Sequence, residues 1–200
     1  LLGDGGYALG ARARQIRDAL VALPTAGEAD MLALQLDDRA LFLARWQRLL
    51  LAALPDEAVA GHPRRTEARA LVAGWGERAA VASAGYRIVR AFRLQVTDTV
   101  LADLTAACRA ADRRFSARSL GQAEDAVWRL VSERPAHLLH PRHDTWDGLL
   151  LAAIDAVLEE IAPGGAPLAA RTWGERNTAR ISHPLSGALP GLAALLDMPA

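Results

Sequence analysis

The sequence predicts a mainly α protein, and three observations carry that prediction. Apolar residues recur at three- and four-residue spacing along most of the chain. Ala, Leu and Arg, all strong helix formers, dominate the composition. Gly and Pro gather in short clusters between the periodic segments. With 52% apolar and 23% charged residues, the 200-residue chain can bury a core and lacks the composition of a disordered segment. The expectation is one helical unit over residues 1–200, with helices through residue 166 and an extended, turn-rich tail over 167–200.

The elements follow in order. A Gly-rich loop holding Asp4 leads into a helix from about Ala11 to Leu23, with Ile16, Ala19, Leu20 and Leu23 on one stripe. Pro24-Thr25-Ala26-Gly27 breaks it. The next periodic run, Glu28 to Leu54, carries Met31, Leu34, Leu41, Phe42, Trp46, Leu49 and Leu50. Joined by so short a loop, these two helices should pack antiparallel. Pro55 and Gly61-His62-Pro63 end the pair. A third helix is predicted over Arg65 to Ala73, turned by Gly74-Trp75-Gly76. A long helical pattern runs from Ser83 to Arg113 through Tyr86, Val89, Phe92, Val96 and Val100, with a bend expected at Thr97-Asp98-Thr99. Leu120 to Ser132 reads as a helix, Arg134 to Asp144 as a His/Pro-rich loop, and Trp146 to Ile161 as a helix closed by Pro163-Gly164-Gly165. In the tail, extended character at Leu168 to Trp173 and at Ala179 to Ile181 leads to the expectation of a short β hairpin.

Several function classes drop out. Formal net charge is +0, so the surplus of basic groups that nucleic-acid binding requires is missing. All 23 basic residues are Arg. No apolar run reaches the length of a membrane span, and no signal peptide is visible. The chain opens on Leu1, not Met, and the expectation is that it is a stretch of a longer protein. The single cysteine, Cys108, excludes an intrachain disulfide and, amid Leu104, Ala107 and Ala111, reads as a small core residue.

Few residues suggest chemistry. His137, His140 and His143 have a spacing that could suit zinc on a helix. Pro135 and Pro141 break such a helix, which favours a solvated loop. Glu28, Asp30, Asp37 and Asp38 could act as an acid/base pair; with Arg39 and Arg45 at helical spacing, ion pairing on an exposed face is preferred. Ser182-His183 suggests a nucleophile and base, but adjacent residues rarely face each other, and Pro184 holds His183 extended. A turn in which the imidazole bonds to backbone is preferred. No phosphate-binding Gly loop, CxxC pair, HExxH or G-x-S-x-G elbow occurs. The residues taken alone leave room for a stand-alone helical interaction module without catalytic activity.

Four strings, in order, change the balance. They are Ala11-Arg12-Ala13-Arg14-Gln15-Ile16; Glu28-Ala29-Asp30-Met31 through Asp37; Trp75-Gly76 followed by Ser83-Ala84-Gly85-Tyr86 to Phe92; and Thr172-Trp173-Gly174-Glu175 followed by His183-Pro184-Leu185. Together they resemble the large (β) chain of the penicillin acylase (penicillin amidase) family across nearly the whole sequence. Gly76 stands where the family usually has an acidic or amide residue, and Ala11 where it usually has Tyr or another residue, Tyr7 lying further back.

The resemblance implies an N-terminal-nucleophile hydrolase with an αββα core, of which this segment is the helical part. It implies a zymogen cut into two chains, with a small (α) chain as partner and a small-molecule amide as substrate, either a β-lactam or an acyl-homoserine-lactone-like compound. The nucleophile would be an N-terminal Ser whose own α-amino group, of pKa about 7.7–8.0, accepts the hydroxyl proton. In the family that Ser is followed by Asn. None of the six Ser residues here is followed by Asn, so the nucleophile is expected outside this segment. The one family site residue that carries over is Arg12, which the resemblance places near the nucleophile and the oxyanion-stabilising Asn; an ordinary surface ion pair is the alternative. No cofactor is expected in this segment. The resemblance implies a structural calcium in the parent enzyme, with Asp4 as the acidic candidate against a plain Asp-Gly turn. It also implies a periplasmic or secreted location.

Overall fold

The structure, a computed structural model, describes residues 9–117, 120–179, 181–186 and 191–198. It is mainly α, as expected. The helices are α1 (Ala11–Val21), α2 (Glu28–Gln35), α3 (Ala44–Ala52), α4 (Asp56–Val59), α5 (Pro63–Ala73), α6 (Ala84–Leu104), α7 (Ala106–Ala111), α8 (Ala123–Glu133), α9 (Trp146–Ile161), α10 (Trp173–Asn177) and α11 (Leu192–Leu196).

Helix α6 is the central element; α3, α5, α8 and α9 pack around it. Its inward stripe is Ile88, Val89, Phe92, Val96 and Val100, all buried. Helix α9 buries Trp146, Leu149, Leu150, Ala153, Ile154, Val157, Leu158 and Ile161. That is the three-four alternation of a helix with one wide apolar face. Trp46 and Leu50 from α3, Val72 from α5 and Val127 and Val131 from α8 complete the core.

Local chemistry sets the helix ends. Ser83 Oγ accepts from Tyr86 N at 3.0 Å, and Thr145 Oγ1 accepts from Gly148 N at 2.9 Å, so each caps the orphan amides of the helix that follows. Pro63 opens α5, where its missing N–H costs nothing. Past α9, Gly164 and Gly165 have φ of 65° and 81°, which stops the helix where the sequence predicts. Arg64 Nη2 donates to the carbonyls of Leu158 and Ala162, 2.5 Å each, and so satisfies the α9 C-terminus from α5.

Three expectations are corrected. The predicted helix Glu28–Leu54 is broken. Helix α2 stops at Gln35, and the chain reaches α3 through a loop and a single 3-10 turn at Leu41–Leu43. Asp37 is the local cause. Its carboxylate accepts from the Arg39 backbone N–H at 3.1 Å, an Asx-type turn that competes with helix continuation. Ala40 N–H then donates to Glu77 O, and Ala79 N–H to Asp38 O, at 2.6 and 2.8 Å. No Gly or Pro marks this break, so the apolar period runs straight through it.

The long run Ser83–Arg113 breaks at Thr105, not at Thr97–Thr99. Thr97 and Thr99 bond back to the carbonyls of Arg93 and Gln95 and stay helical. Beyond Thr105, α7 departs from the core. Cys108 is therefore exposed, contrary to the core reading.

The tail also differs. Leu168–Ala170 is a 3-10 turn and Trp173–Asn177 is helical, so most of the first stretch expected to be extended curls instead; the second, Ala179 to Ile181, includes Arg180, which lies outside the described residues. Among the described residues the only β pairing is an isolated bridge between Arg39 and Arg78. The expected hairpin is not formed there. No described helix is long and apolar enough to cross a membrane.

Candidate functional site

Helices α1 and α2 contain no buried residue. They are joined to each other and to the helical body by polar contacts, and these contacts form the rim of a cleft of about 360 Å³. Arg12 lies at its edge, on the first turn of α1. Its Nη1 donates to Asp37 O at 2.8 Å and its Nη2 to Leu34 O. A cation thus sits on the C-terminal carbonyls of α2, where the helix dipole favours it. Gln15, one turn on, donates from Nε2 to Asp37 Oδ2 at 2.6 Å. The start of α1 therefore lies on the end of α2, the antiparallel arrangement the short loop implied.

Asp37 joins three segments. Beyond Gln15, it accepts from Arg39 Nε and Nη2, both at 2.8 Å, and stands 3.9 Å from Arg12 Nη1. The Arg39 fork, with Gln15 and the Arg39 amide, holds the Asp37 carboxyl well below the usual carboxylate range, against an opposing push from burial. It is a committed structural anion. Asp38 pairs with Arg78 at 2.5 Å, and Asp30 caps the Gly27 amide at 2.9 Å. The carboxylates thus form ion pairs and caps, as read from sequence, except that Asp37 and Asp38 sit in the loop and Arg45 pairs elsewhere.

The wall opposite Arg12 rests on a buried carboxylate that sequence reasoning passed over. Glu124, 5% exposed, accepts from Arg45 Nη2 and Trp46 Nε1 through Oε1, each at 2.8 Å. Its Oε2 accepts from Arg93 Nε at 2.8 Å. The guanidinium carbons of Arg45 and Arg93 lie 4.8 and 5.2 Å from the Phe42 ring centroid. One carboxylate therefore fixes two cations around an aromatic ring, and Phe42 and Arg93 line the cleft. Only the i to i+4 position of Glu124 beside Trp128 hinted at a buried face; its partners lie 31 to 79 residues away.

Scattered motif residues meet at the third wall, to which Tyr86 contributes. Trp75, Tyr86 and Trp173 form an aromatic ladder, with centroid separations of 5.9 and 4.9 Å. Backbone contacts hold it. Trp173 N–H donates to Ser83 O at 3.0 Å and Gly174 N–H to Val81 O at 2.8 Å. A Cβ on Gly174 would lie 2.5 Å from Val81 Cγ1, and one on Gly85 would lie 2.4 Å from Leu71 O. The glycines of both motifs permit close backbone approach. The Arg90 guanidinium carbon lies over Trp173, 5.1 Å from its ring centroid, and Arg90 lines the cleft with Tyr86.

The other candidates lie elsewhere. His183 Nδ1 accepts from Leu185 N at 3.2 Å, the backbone-bonded turn, while the His183 backbone N–H donates to Asp197 Oδ1 at 2.8 Å. His140 and His143 lie in a loop as expected, but His140 is buried and His143 half-buried, so the loop is not fully solvated there; His137 is exposed. The His140 and His143 rings are 5.8 Å apart beside a separate cavity of about 330 Å³. Burial, then His140 and Arg142, pushes the His143 imidazole below its ordinary value, with Asp144 opposing. Among the described residues no group of three or more His, Cys, Asp or Glu could hold a metal ion. Asp4 lies outside the described residues.

Chemically, this cleft can bind and orient. Among its described lining residues there is no Ser, Thr or Cys to act as a nucleophile. The family model described as penicillin amidase matches residues 2–199. No curated protein matches the chain significantly.

Proposed function

We propose, on the premise that this chain belongs to the penicillin amidase family, that it is the helical part of an enzyme cleaving an acyl group from an amine. The match over residues 2–199 is the observation that carries this reading. The substrate is a small amide of the β-lactam or acyl-homoserine-lactone type. The nucleophile is an N-terminal Ser outside these residues, activated by its own α-amino group. A small chain released from the same precursor completes the enzyme, which works in the periplasm or is secreted. Calcium in the parent enzyme draws no set of three candidate ligands from the described residues, and no step here passes through it.

Arg12 supports the scheme as a positioning residue. One carbonyl from the last turn of α2, Leu34, and one from the loop that follows, Asp37, fix its guanidinium at the rim of the cleft. From there it can orient the nucleophile and the oxyanion-binding Asn through a pre-set positive charge. Preorganised charge of this kind stabilises an oxyanion without reorganisation cost.

Covalent labelling of the mature parent enzyme with a sulfonyl fluoride tests the reading. Peptide mapping should place the label on a Ser outside these 200 residues, at the N-terminus of its chain. A label on any of the six Ser residues here would overturn it. In the same enzyme, Arg12→Ala should lower kcat by about 10²-fold. An unchanged kcat removes Arg12 from the site.

A further inference from the structure

The cleft beside Arg12 is lined by four guanidinium groups, Arg12, Arg39, Arg90 and Arg93, and two carboxylates, Asp37 and Asp38. The carboxylates are already matched. Asp37 is gripped by Arg39, and Asp38 by Arg78. Glu124, behind the wall, is shared between Arg45 and Arg93, two cations for one anion. The walls therefore carry excess positive charge, and a concave site of one sign concentrates the opposite ion.

Arg90 is the group this charge leaves open. It forms no ion pair and no hydrogen bond with any described residue. Its recorded contact is the one over the Trp173 ring. A cation held over a ring in this way still has its N–H donors to offer, and here no described group takes them. Tyr86 packs on the same indole, the two rings T-shaped at 82°. Its hydroxyl makes no hydrogen bond with a described residue, and Tyr86 lines the cleft with Arg90. A guanidinium and a phenol without described partners, lining one cleft with Phe42, are the parts needed for an organic carboxylate: two donors for the oxygens and an aromatic surface for its body.

We propose that Arg90 and Tyr86 form a carboxylate subsite, with Trp173 orienting Arg90, and that the subsite receives a carboxylate borne by the substrate. The first half stands on the geometry alone; the second rests on the hydrolase reading above. The closing Trp-Gly motif then has a function beyond folding. It supplies the plate on which the recognising guanidinium lies.

The test uses the mature parent enzyme, wild type and Arg90→Gln. Benzoate and its neutral isostere benzamide are titrated against tryptophan fluorescence, with Trp173 beside the site as reporter. Benzoate should bind, and Arg90→Gln should weaken it about tenfold or more, as expected for loss of a charge-assisted bond. Benzamide should change little. Tyr86→Phe should weaken benzoate by a smaller factor. In parallel, kcat/KM is compared for two amides differing only in a carboxylate or its carboxamide. Arg90→Gln should reduce the first selectively.

Failure to bind benzoate, or equal loss for both ligands, overturns the subsite. Benzoate binding lost in Arg90→Gln, with the same kcat/KM fall for both amides, overturns its role in substrate recognition. Benzoate binding in an enzyme that cleaves no amide overturns the hydrolase reading and leaves the subsite standing.

Discussion

The ring of Tyr86 meets that of Trp173 edge to face, 4.9 Å between centroids and 82° between planes, although 87 positions separate them in the chain. Edge-to-face contact pairs the positive rim of one ring with the negative face of the other. Arg90 lies over the Trp173 ring. The contact thus links the start of α6 to α10 and sets one wall of the cleft.

That wall depends on glycine at two points. Gly174→Ala places a methyl 2.5 Å from Val81 Cγ1 and 3.0 Å from Val81 O. Gly85→Ala places one 2.4 Å from Leu71 O and 2.8 Å from Trp75 Cβ, so α5 and α6 must part. Each should cost about 1–3 kcal/mol from overpacking, with Gly85→Ala the larger because backbone must move. Urea denaturation measures both. A midpoint unchanged in Gly85→Ala would mean that the helices separate freely.

Glu124 should be the most sensitive polar position. Glu124→Ala leaves Arg45 and Arg93 half-buried without their counter-ion, and leaves the Trp46 N–H buried and unpaired. Breaking such a site costs about 3–5 kcal/mol. Glu124→Gln retains an acceptor for Trp46 and should lose less. Equal stability of wild type and Glu124→Ala in urea would show that the cluster contributes nothing net.

Asp37 predicts an acid-sensitive junction between α1, α2 and the loop that follows. Arg39 first, then Gln15, holds its carboxyl below the ordinary value. A depressed carboxyl stabilises the fold fully above the unfolded-state value of about 3.9, and the contribution is lost as pH falls below that. Thermal unfolding of wild type should lose stability more steeply than Asp37→Asn between about pH 5 and pH 2. Parallel slopes would count against the Asp37 junction.

His143 gives a second window at higher pH. Burial first, then His140 and Arg142, favours its neutral form. For a base whose folded-state pKa is lowered, the unfolded chain binds the proton more readily. Its contribution is complete above about pH 6.5 and is lost as pH falls through and below that value. His143→Gln should flatten the stability profile between about pH 7 and pH 5, read by thermal melts. A wild-type profile already flat across that range would remove His143 from acid sensitivity.

Much of the helical body is legible in the sequence. Trp146–Ile161 shows its buried stripe as an unbroken three-four period, and the Pro-Gly-Gly that ends it is a local stop. The break after Gln35 is not legible in that way, because Asp37 makes it with partners from α1 and from the loop near Glu77. Cys108 fails for a similar reason: its apolar neighbours suggest burial, but α7 has already left the core. The ordered motifs were enough to place the chain in its family. The meeting of Trp75, Tyr86 and Trp173 in one aromatic ladder was not visible in their spacing.

The sequence by itself determined the helix type, most helix ends and the family, because period, capping residues and short motifs act over a few neighbouring positions. Tertiary structure alone decided which charges are spoken for. Arg12, Arg45, Arg90 and Arg93 are alike in sequence, yet one rests on the carbonyls of Leu34 and Asp37, two share Glu124, and Arg90 has no ion-pair or hydrogen-bond partner among the described residues. Ion pairing depends on distance in space, and residues as far apart as Arg45 and Glu124 meet only when the core has packed.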